Sequence, residues 1–270
     1  MSTFNGTVQE FPRIRIDNFR SSPSQPPPLA CFLSHVHSDH LLGLENLKSP
    51  FVYCSAATRQ LLLRMEKYTH RMNFMKGILE RRKQHYRHLY SILKAIPLHS
   101  PTEIELGPRE KIQVTLFDAN HCPGAVMFLI EGQDQAILYT GDIRAEQWWI
   151  NTIVRNPLLL PYATGLRTLS CIYLDTTFAL KEETHREFPT KAEGIRELLE
   201  SLQRYPTDTC FYFRAWTLGY EDVWIALSSF LQSRVRYSKS IGSSHLTDPV
   251  TVLGSRRQLP ATTLPVSCRS

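Results

Sequence analysis

One short string constrains this chain more than any other: Ser34-His35-Val36-His37-Ser38-Asp39-His40, set directly behind the apolar run Ala30-Cys31-Phe32-Leu33. Three imidazoles and a carboxylate so close together make poor core material, because every buried polar group needs a partner. At a strand end, alternate residues point the same way, so His35 and His37 can present their rings to one ion. Asp39 and His40 can then turn toward a neighbouring ion. Imidazole and carboxylate are the ligand types suited to Zn²⁺ or Mn²⁺.

Such a centre needs ligands from elsewhere in the chain, and two further turns supply them. His121 follows the apolar run Ile112–Asp118 in the sequence Ala119-Asn120-His121-Cys122-Pro123-Gly124, and Asp142 follows Ala136–Tyr139 in Thr140-Gly141-Asp142. Both stand where an apolar run gives way to a turn, the usual place for site residues. On this reading His35, His37 and His121 form a three-histidine position with one place left for water. Asp39 and His40 serve a second ion, and Asp142 bridges the two.

The rest of the pattern is α/β. Strands are expected at Arg13–Ile16, Ala30–Ser34, Phe51–Ser55, Ile112–Asp118, Val126–Glu131, Ala136–Gly141, Leu169–Thr176 and Cys210–Ala215. Several are continuous apolar runs, as strands covered on both faces should be. Helical patterns fall at Ala56–Met65, across Thr69–Ala95, at Lys191–Arg204 behind the capping box Thr190-x-x-Glu193, and at Tyr220–Val235. Strands with interleaved helices predict a layered sandwich.

The chain resembles the metallo-β-lactamase superfamily, and more closely its nucleic-acid-processing branch that carries a β-CASP region, within which it looks like the Artemis and DNA cross-link-repair nuclease family. The resemblance rests on Ile16-Asp17, Ser34–His40, His121-Cys122-Pro123-Gly124-Ala125-Val126-Met127-Phe128, Leu138-Tyr139-Thr140-Gly141-Asp142-Ile143-Arg144 and Tyr173-Leu174-Asp175-Thr176-Thr177-Phe178. It implies an αββα sandwich over 1–178, a partial β-CASP insertion over 179–237, and a non-homologous tail over 238–270 that lacks regular structure. It further implies that Asp17 orients a ligand histidine, that Asp175 stands beside the metal site, and that Asp39 orients the attacking water. One or two Zn²⁺ ions, or Mn²⁺ or Mg²⁺, would then support phosphodiester hydrolysis of DNA in the nucleus, in end joining or cross-link repair. Nothing after Val235 matches the family, so the chain reads as a truncated member.

Composition adds a partner. The whole chain carries a formal charge of +6, whereas Arg64 to Lys94 alone holds nine Lys or Arg against Glu66 and Glu80. A basic stripe of this kind predicts contact with a polyanion backbone. Lys76, Arg81, Arg82, Lys83 and Arg87, interleaved with Tyr68, Phe74, Tyr86 and Tyr90, are the candidate DNA contacts; a solvated amphipathic helix is the competing explanation. Six dispersed cysteines without a C-x-x-C pair, behind a start with no signal-peptide pattern, predict reduced thiols in the cytosol or nucleus. No apolar run is long enough for a membrane span. Three other functions stay open: an RNA-processing β-CASP nuclease, a glyoxalase-type thioesterase, and a truncated product without turnover.

Overall fold

In the computed structural model the described residues are 4–20, 26–67, 73, 76–78, 85–132, 134–179, 188–215, 218–238 and 250–254. The chain divides into two units, Met1–Thr184 and His185–Ser270.

The first unit is built on two sheets. One is parallel throughout, with strands in sequence order: β1 (Ile14–Ile16), β2 (Ala30–Phe32), β3 (Val52–Cys54) and β4 (Leu93–Ala95). The other runs β5 (Thr102–Gly107), β6 (Glu110–Asp118), β7 (Val126–Glu131), β8 (Ala136–Tyr139) and β9 (Cys171–Tyr173), antiparallel except for the β8–β9 pair. Period-two alternation sends Ile14, Ile16 and Phe32 from the first sheet, and Ile112, Val114, Leu116, Phe128, Ile130 and Ile137 from the second, into one shared core. Each such side chain is stabilised by roughly 1.5–3 kcal/mol on leaving water, so this interface holds the unit together.

The opposite faces are covered too, which explains why central strands such as β7 are continuous apolar runs. Helix α1 (Ala56–Arg64) begins at Ser55, whose hydroxyl accepts from Thr58 N–H at 3.1 Å, and buries Thr58 and Leu62; Arg59 Nε donates to Leu93 O of β4 at 3.0 Å. Across the second sheet, Phe117, Met127 and Leu129 are buried although they face away from the shared core. Helices α2 (Gln147–Val154) and α3 (Leu160–Ala163) attach on this side, through Trp149 Nε1 to Asp118 O at 3.0 Å and Tyr162 OH to Glu131 Oε1 at 2.7 Å. The layers are therefore helix, sheet, sheet, helix, the αββα arrangement of the expected α/β class.

The second unit carries α4 (Lys191–Gln203), β10 (Phe211–Ala215), α5 (Glu221–Leu231), β11 (Arg236–Ser238) and β12 (Val250–Gly254), with an antiparallel sheet ordered β10-β12-β11. The Thr190–Glu193 capping box opens α4 as expected, and Lys191 Nζ meets Asp222 Oδ2 of α5 at 2.8 Å.

Some expectations need correction. The helical pattern expected across Thr69–Ala95 fails at its end, where Tyr86–Leu89 is a short 3₁₀ turn and Leu93–Ala95 is strand β4; residues 69–72, 74–75 and 79–84 lie outside the described residues. Leu93, Lys94 and Ala95 instead extend the parallel sheet by pairing with Val52, Tyr53 and Cys54 of β3, a long-range pairing that overrides their local helical propensity. Sequence patterning missed β5, which pairs with β6 through the turn at Pro108-Arg109, and α2, whose Trp148-Trp149 pair resembles strand composition. Strand β12 lies within the stretch expected to lack regular structure; the remainder of 239–270 lies outside the described residues. Cys31, Cys54, Cys122, Cys171 and Cys210 are free thiols. Among the described residues no helix is long and apolar enough to cross a membrane.

Candidate metal centre

The strand register assembles the centre. Strands β1 and β2 are parallel with Ile16 opposite Phe32, so the residues that follow, Asp17 and Ser34, come to lie side by side. Ser34 N–H donates to Asp17 Oδ1 at 2.7 Å, and Ser34 Oγ–H donates to Asp17 Oδ2 at 2.6 Å. Strands β8 and β9 repeat the device with Tyr139 opposite Tyr173: Asp175 N–H donates to Thr140 Oγ1 at 2.9 Å, and Ile143 N–H to Asp175 Oδ2 at 3.2 Å. Val126 N–H bonds Ser34 O at 3.1 Å and ties the two sheets together at this end.

Hydrogen-bond bookkeeping fixes the ring tautomers on the buried side. Ser34 has one hydroxyl proton, and the carboxylate of Asp17 can only accept it. His35 Nδ1, 2.9 Å from Ser34 Oγ, must therefore be the donor, which leaves its Nε2 as a lone pair. His40 Nδ1 lies 3.0 Å from Asp17 Oδ2, so its Nε2 is likewise turned away from Asp17. Tyr139 OH also reaches Asp17 Oδ2 at 3.3 Å, so this fully buried carboxylate serves four groups. Asp17 takes a positive φ of 59°, a strained conformation for a side-chain-bearing residue that this network supports.

Three ring nitrogens converge in front of that wall. His35 Nε2 lies 3.0 Å from His37 Nδ1, and His37 Nδ1 lies 3.1 Å from His121 Nε2. Asp142 Oδ2 approaches His35 Nε2 at 3.7 Å and His121 Nε2 at 3.6 Å. All four donor atoms fall within 4.8 Å of one another. The edge of a tetrahedron of Zn–N bonds is about 3.3 Å, close to these separations. The other carboxylate oxygen, Asp142 Oδ1, lies 3.3 Å from His40 Nε2, and Asp39 Oδ2 lies 3.6 Å from the same nitrogen. His40 Nε2 is buried without a well-formed hydrogen bond, an orphan that a cation between Asp39, His40 and Asp142 would satisfy.

Electrostatics prepares the donors. Burial, followed by the neighbouring imidazoles, holds His35 well below the ordinary histidine range; burial and then His37 lower His121. Both rings are neutral at pH 7, the form that binds a metal. Burial by itself would raise Asp142, but His40 and His121 outweigh it and keep the carboxyl ionised. Burial also pushes His40 down, yet the carboxylates of Asp17 and Asp142 overcome it and raise the ring to about 10, so without a metal His40 is protonated, and a cation at Nε2 would have to displace that proton.

The loop that carries His121 is anchored from outside the centre. Gly124 takes φ +84°, and a Cβ there would meet Thr58 N at 2.8 Å. Its carbonyl accepts from Ser55 Oγ and from Thr58 Oγ1, each at 2.8 Å, and so is clamped to the first turn of α1. Sequence reasoning missed Ser55 and Thr58, and assigned no role to Ser34 or Tyr139. The β1–β2 register would have flagged Ser34 as Asp17's neighbour, but pairing cannot be read from one strand alone.

A cleft of about 210 Å³ opens beside the centre, lined by Phe4, His40, Tyr139, Gly141, Asp142 and Tyr173 through Thr177. Asp175 thus stands next to Asp142, with its Oδ1 accepting from Thr177 N–H at 3.0 Å and Thr177 Oγ1 at 2.6 Å. Lys76 and Arg87 are exposed but are not among the residues lining this cleft; Arg81, Arg82 and Lys83 lie outside the described residues.

Comparison with known proteins places this geometry among relatives. A protein-family model described as anti-Pycsar protein Apyc1 matches residues 29–162, the stretch that contains His35 through Asp142. The chain is 33% identical over 258 residues to protein artemis of Gallus gallus, covering 88% of this chain and 32% of that protein. Against protein artemis of Homo sapiens the figures are 33% identity over 259 residues, 88% and 33%. Against the 5′ exonuclease Apollo of Gallus gallus they are 32% over 228 residues, 83% and 41%. The chain spans about a third of the length of the artemis proteins it matches.

Proposed function

We propose, from the premise that this chain is a relative of Artemis and Apollo, that it is a metal-dependent nuclease acting on DNA. The carrying observation is the convergence of His35 Nε2, His37 Nδ1 and His121 Nε2 on the carboxylate of Asp142. In this reading those four residues hold one divalent cation, while Asp39, His40 and Asp142 hold a second, with Asp142 shared. Zn²⁺ suits the imidazole-rich position, and Mn²⁺ or Mg²⁺ suits the more oxygen-rich one. Cations at these positions would polarise a phosphodiester and acidify water.

The chain's own residues supply the rest. Asp17, through Ser34 and directly, holds His35 and His40 with their Nε2 atoms facing the substrate side. Asp39, whose side chain is 37% exposed, would orient an incoming water, a role that its exposure beside His40 supports. Asp175 is backed by Ile143 and Thr177 and forms the cleft wall next to Asp142. Lys76, Arg81, Arg82, Lys83 and Arg87 are proposed to follow the DNA backbone, a sequence-independent and salt-dependent contact. A role in nuclear DNA repair, in end joining or cross-link repair, follows from the same kinship.

The test is cleavage of end-labelled 5′-phosphorylated single-stranded DNA, hairpin DNA and RNA by the purified chain with Zn²⁺, Mn²⁺ or Mg²⁺. The expected result is metal-dependent cutting of DNA that an Asp142→Asn variant lacks. Cutting of RNA alone moves the reading to RNA processing; bound metal with no cutting of any substrate rejects turnover by this chain.

A further inference from the structure

Two tryptophans open α2, and the structure uses them in opposite ways. Trp149 is buried at 6% exposure and donates its Nε1–H to Asp118 O at 3.0 Å, pinning the helix to the strand that leads to His121. Trp148 is 56% exposed, yet its ring is not loose: Nε1–H donates to Glu146 Oε2 at 2.7 Å. The other oxygen of the same carboxylate accepts from Arg144 Nε at 2.6 Å. Glu146 is itself mostly covered, with 12% side-chain exposure, against 40% for Arg144. One sheltered carboxylate therefore fixes an outward indole and an outward guanidinium side by side.

This array is tied to the metal centre by backbone. Arg144 follows Asp142 by two residues. Its N–H donates to Ala119 O at 3.1 Å, and its carbonyl accepts from Asn120 Nδ2 at 2.9 Å, beside His121. Trp148 lies six positions after Asp142, at most about 22 Å of fully extended chain, which is within a few nucleotides of a bound strand.

We propose that Trp148 and Arg144 form a stacking platform for an unpaired base of a single-stranded DNA segment, with Arg144 meeting the adjoining phosphate and Glu146 acting as the positioning residue. An indole offers every base a π-face at small entropic cost once its rotamer is fixed. Arg144 neutralises Glu146, so the carboxylate does not repel the strand. The proposal rests on the nucleic-acid reading above but does not need cleavage.

The experiment measures binding of the full chain to fluorescein-labelled oligothymidylate and to an abasic strand of the same length, by anisotropy. Trp148→Ala should weaken oligothymidylate binding about tenfold and leave abasic binding unchanged, with melting temperature and metal content as in the parent. Trp148→Phe should recover most of the loss. Arg144→Gln should lower the slope of log affinity against log salt by about one. Equal affinity of Trp148→Ala and parent for oligothymidylate, equal losses on both strands, or no oligothymidylate binding by the parent would each overturn the platform. An oligoribonucleotide bound at least as well, with the same Trp148 dependence, overturns the assignment to DNA. Trp148-dependent binding by a chain that cuts nothing supports the platform and rejects the nuclease reading separately.

Discussion

The two sides of the histidine cluster are built on different principles. On the buried side, His35 and His40 have almost no exposure and lean on Asp17, Ser34 and Tyr139, so their orientation is fixed by the fold whatever binds. On the open side, His37 is only half-buried and the side chains of His121 and Asp142 are each 27% exposed; their nitrogens and oxygens face one another at hydrogen-bond distance or slightly beyond. The buried side belongs equally to stability and to ligation, whereas the open side belongs chiefly to ligation. Substitutions on the two sides should therefore separate folding from metal binding.

The largest effect is expected at Asp17. Asp17→Asn places an amide N–H₂ against donors from Ser34, His40 and Tyr139, leaving buried donors unmet. Breaking a buried charged pair costs about 3–5 kcal/mol, so urea unfolding should shift by that order and bound metal should fall with it. A variant as stable as the parent would erase the distinction between the two sides. His37→Ala and His121→Ala should do the reverse: bound divalent metal drops at least tenfold, while the metal-free protein unfolds within about 1 kcal/mol of the parent, as half-exposed substitutions usually do.

The pH dependence of the metal-free fold sharpens the contrast. His35 and His121 are held below the ordinary value of 6.5, so the unfolded chain binds protons that the fold refuses, and stability falls as pH drops below about 6.5. His40 is raised to about 10, so its contribution is complete below pH 6.5 and is lost as pH climbs toward 10. Chelated protein should be most stable near pH 6.5 so far as this cluster decides, and His40→Gln should flatten the alkaline limb. A chelated parent whose stability is level from pH 6.5 to 10 would contradict the His40–Asp17 pairing. Smallest is the clamp on the His121 loop: Thr58→Val removes one hydroxyl from Gly124 O, at a cost of about 1 kcal/mol, with a modest loss of metal affinity read by competition with a chromophoric chelator. Thr58→Ser should restore both.

Much of the site was legible before any coordinates because metal ligation demands particular side chains at strand ends. Ser34–His40, His121 and Asp142 announce themselves by residue type against apolar runs, and the structure brings them together. Asp17 and Asp175 were legible only through family resemblance, since an acidic residue at a strand end has many ordinary explanations. Ser34, Ser55 and Thr58 were illegible as supports because their roles come from pairing β1 with β2 and from docking α1 onto the Gly124 turn, both long-range facts. In the fold, strands with continuous apolar runs such as Val126–Glu131 were read to the residue. Edge strands β4 and β5 were not, because half-exposed strands carry Lys and Glu that imitate helix or loop. The Leu93–Ala95 end of the expected helix misled for the same reason.

The most direct test of the centre is metal stoichiometry by mass spectrometry on the full chain, purified with Zn²⁺ or after chelation, beside His37→Ala and Asp142→Asn. At least one divalent ion per chain is expected in the parent, with a higher melting temperature than after chelation, and loss of both in the two variants while their metal-free folds persist. A parent that binds no divalent ion, and whose melting temperature is indifferent to Zn²⁺, would contradict the account.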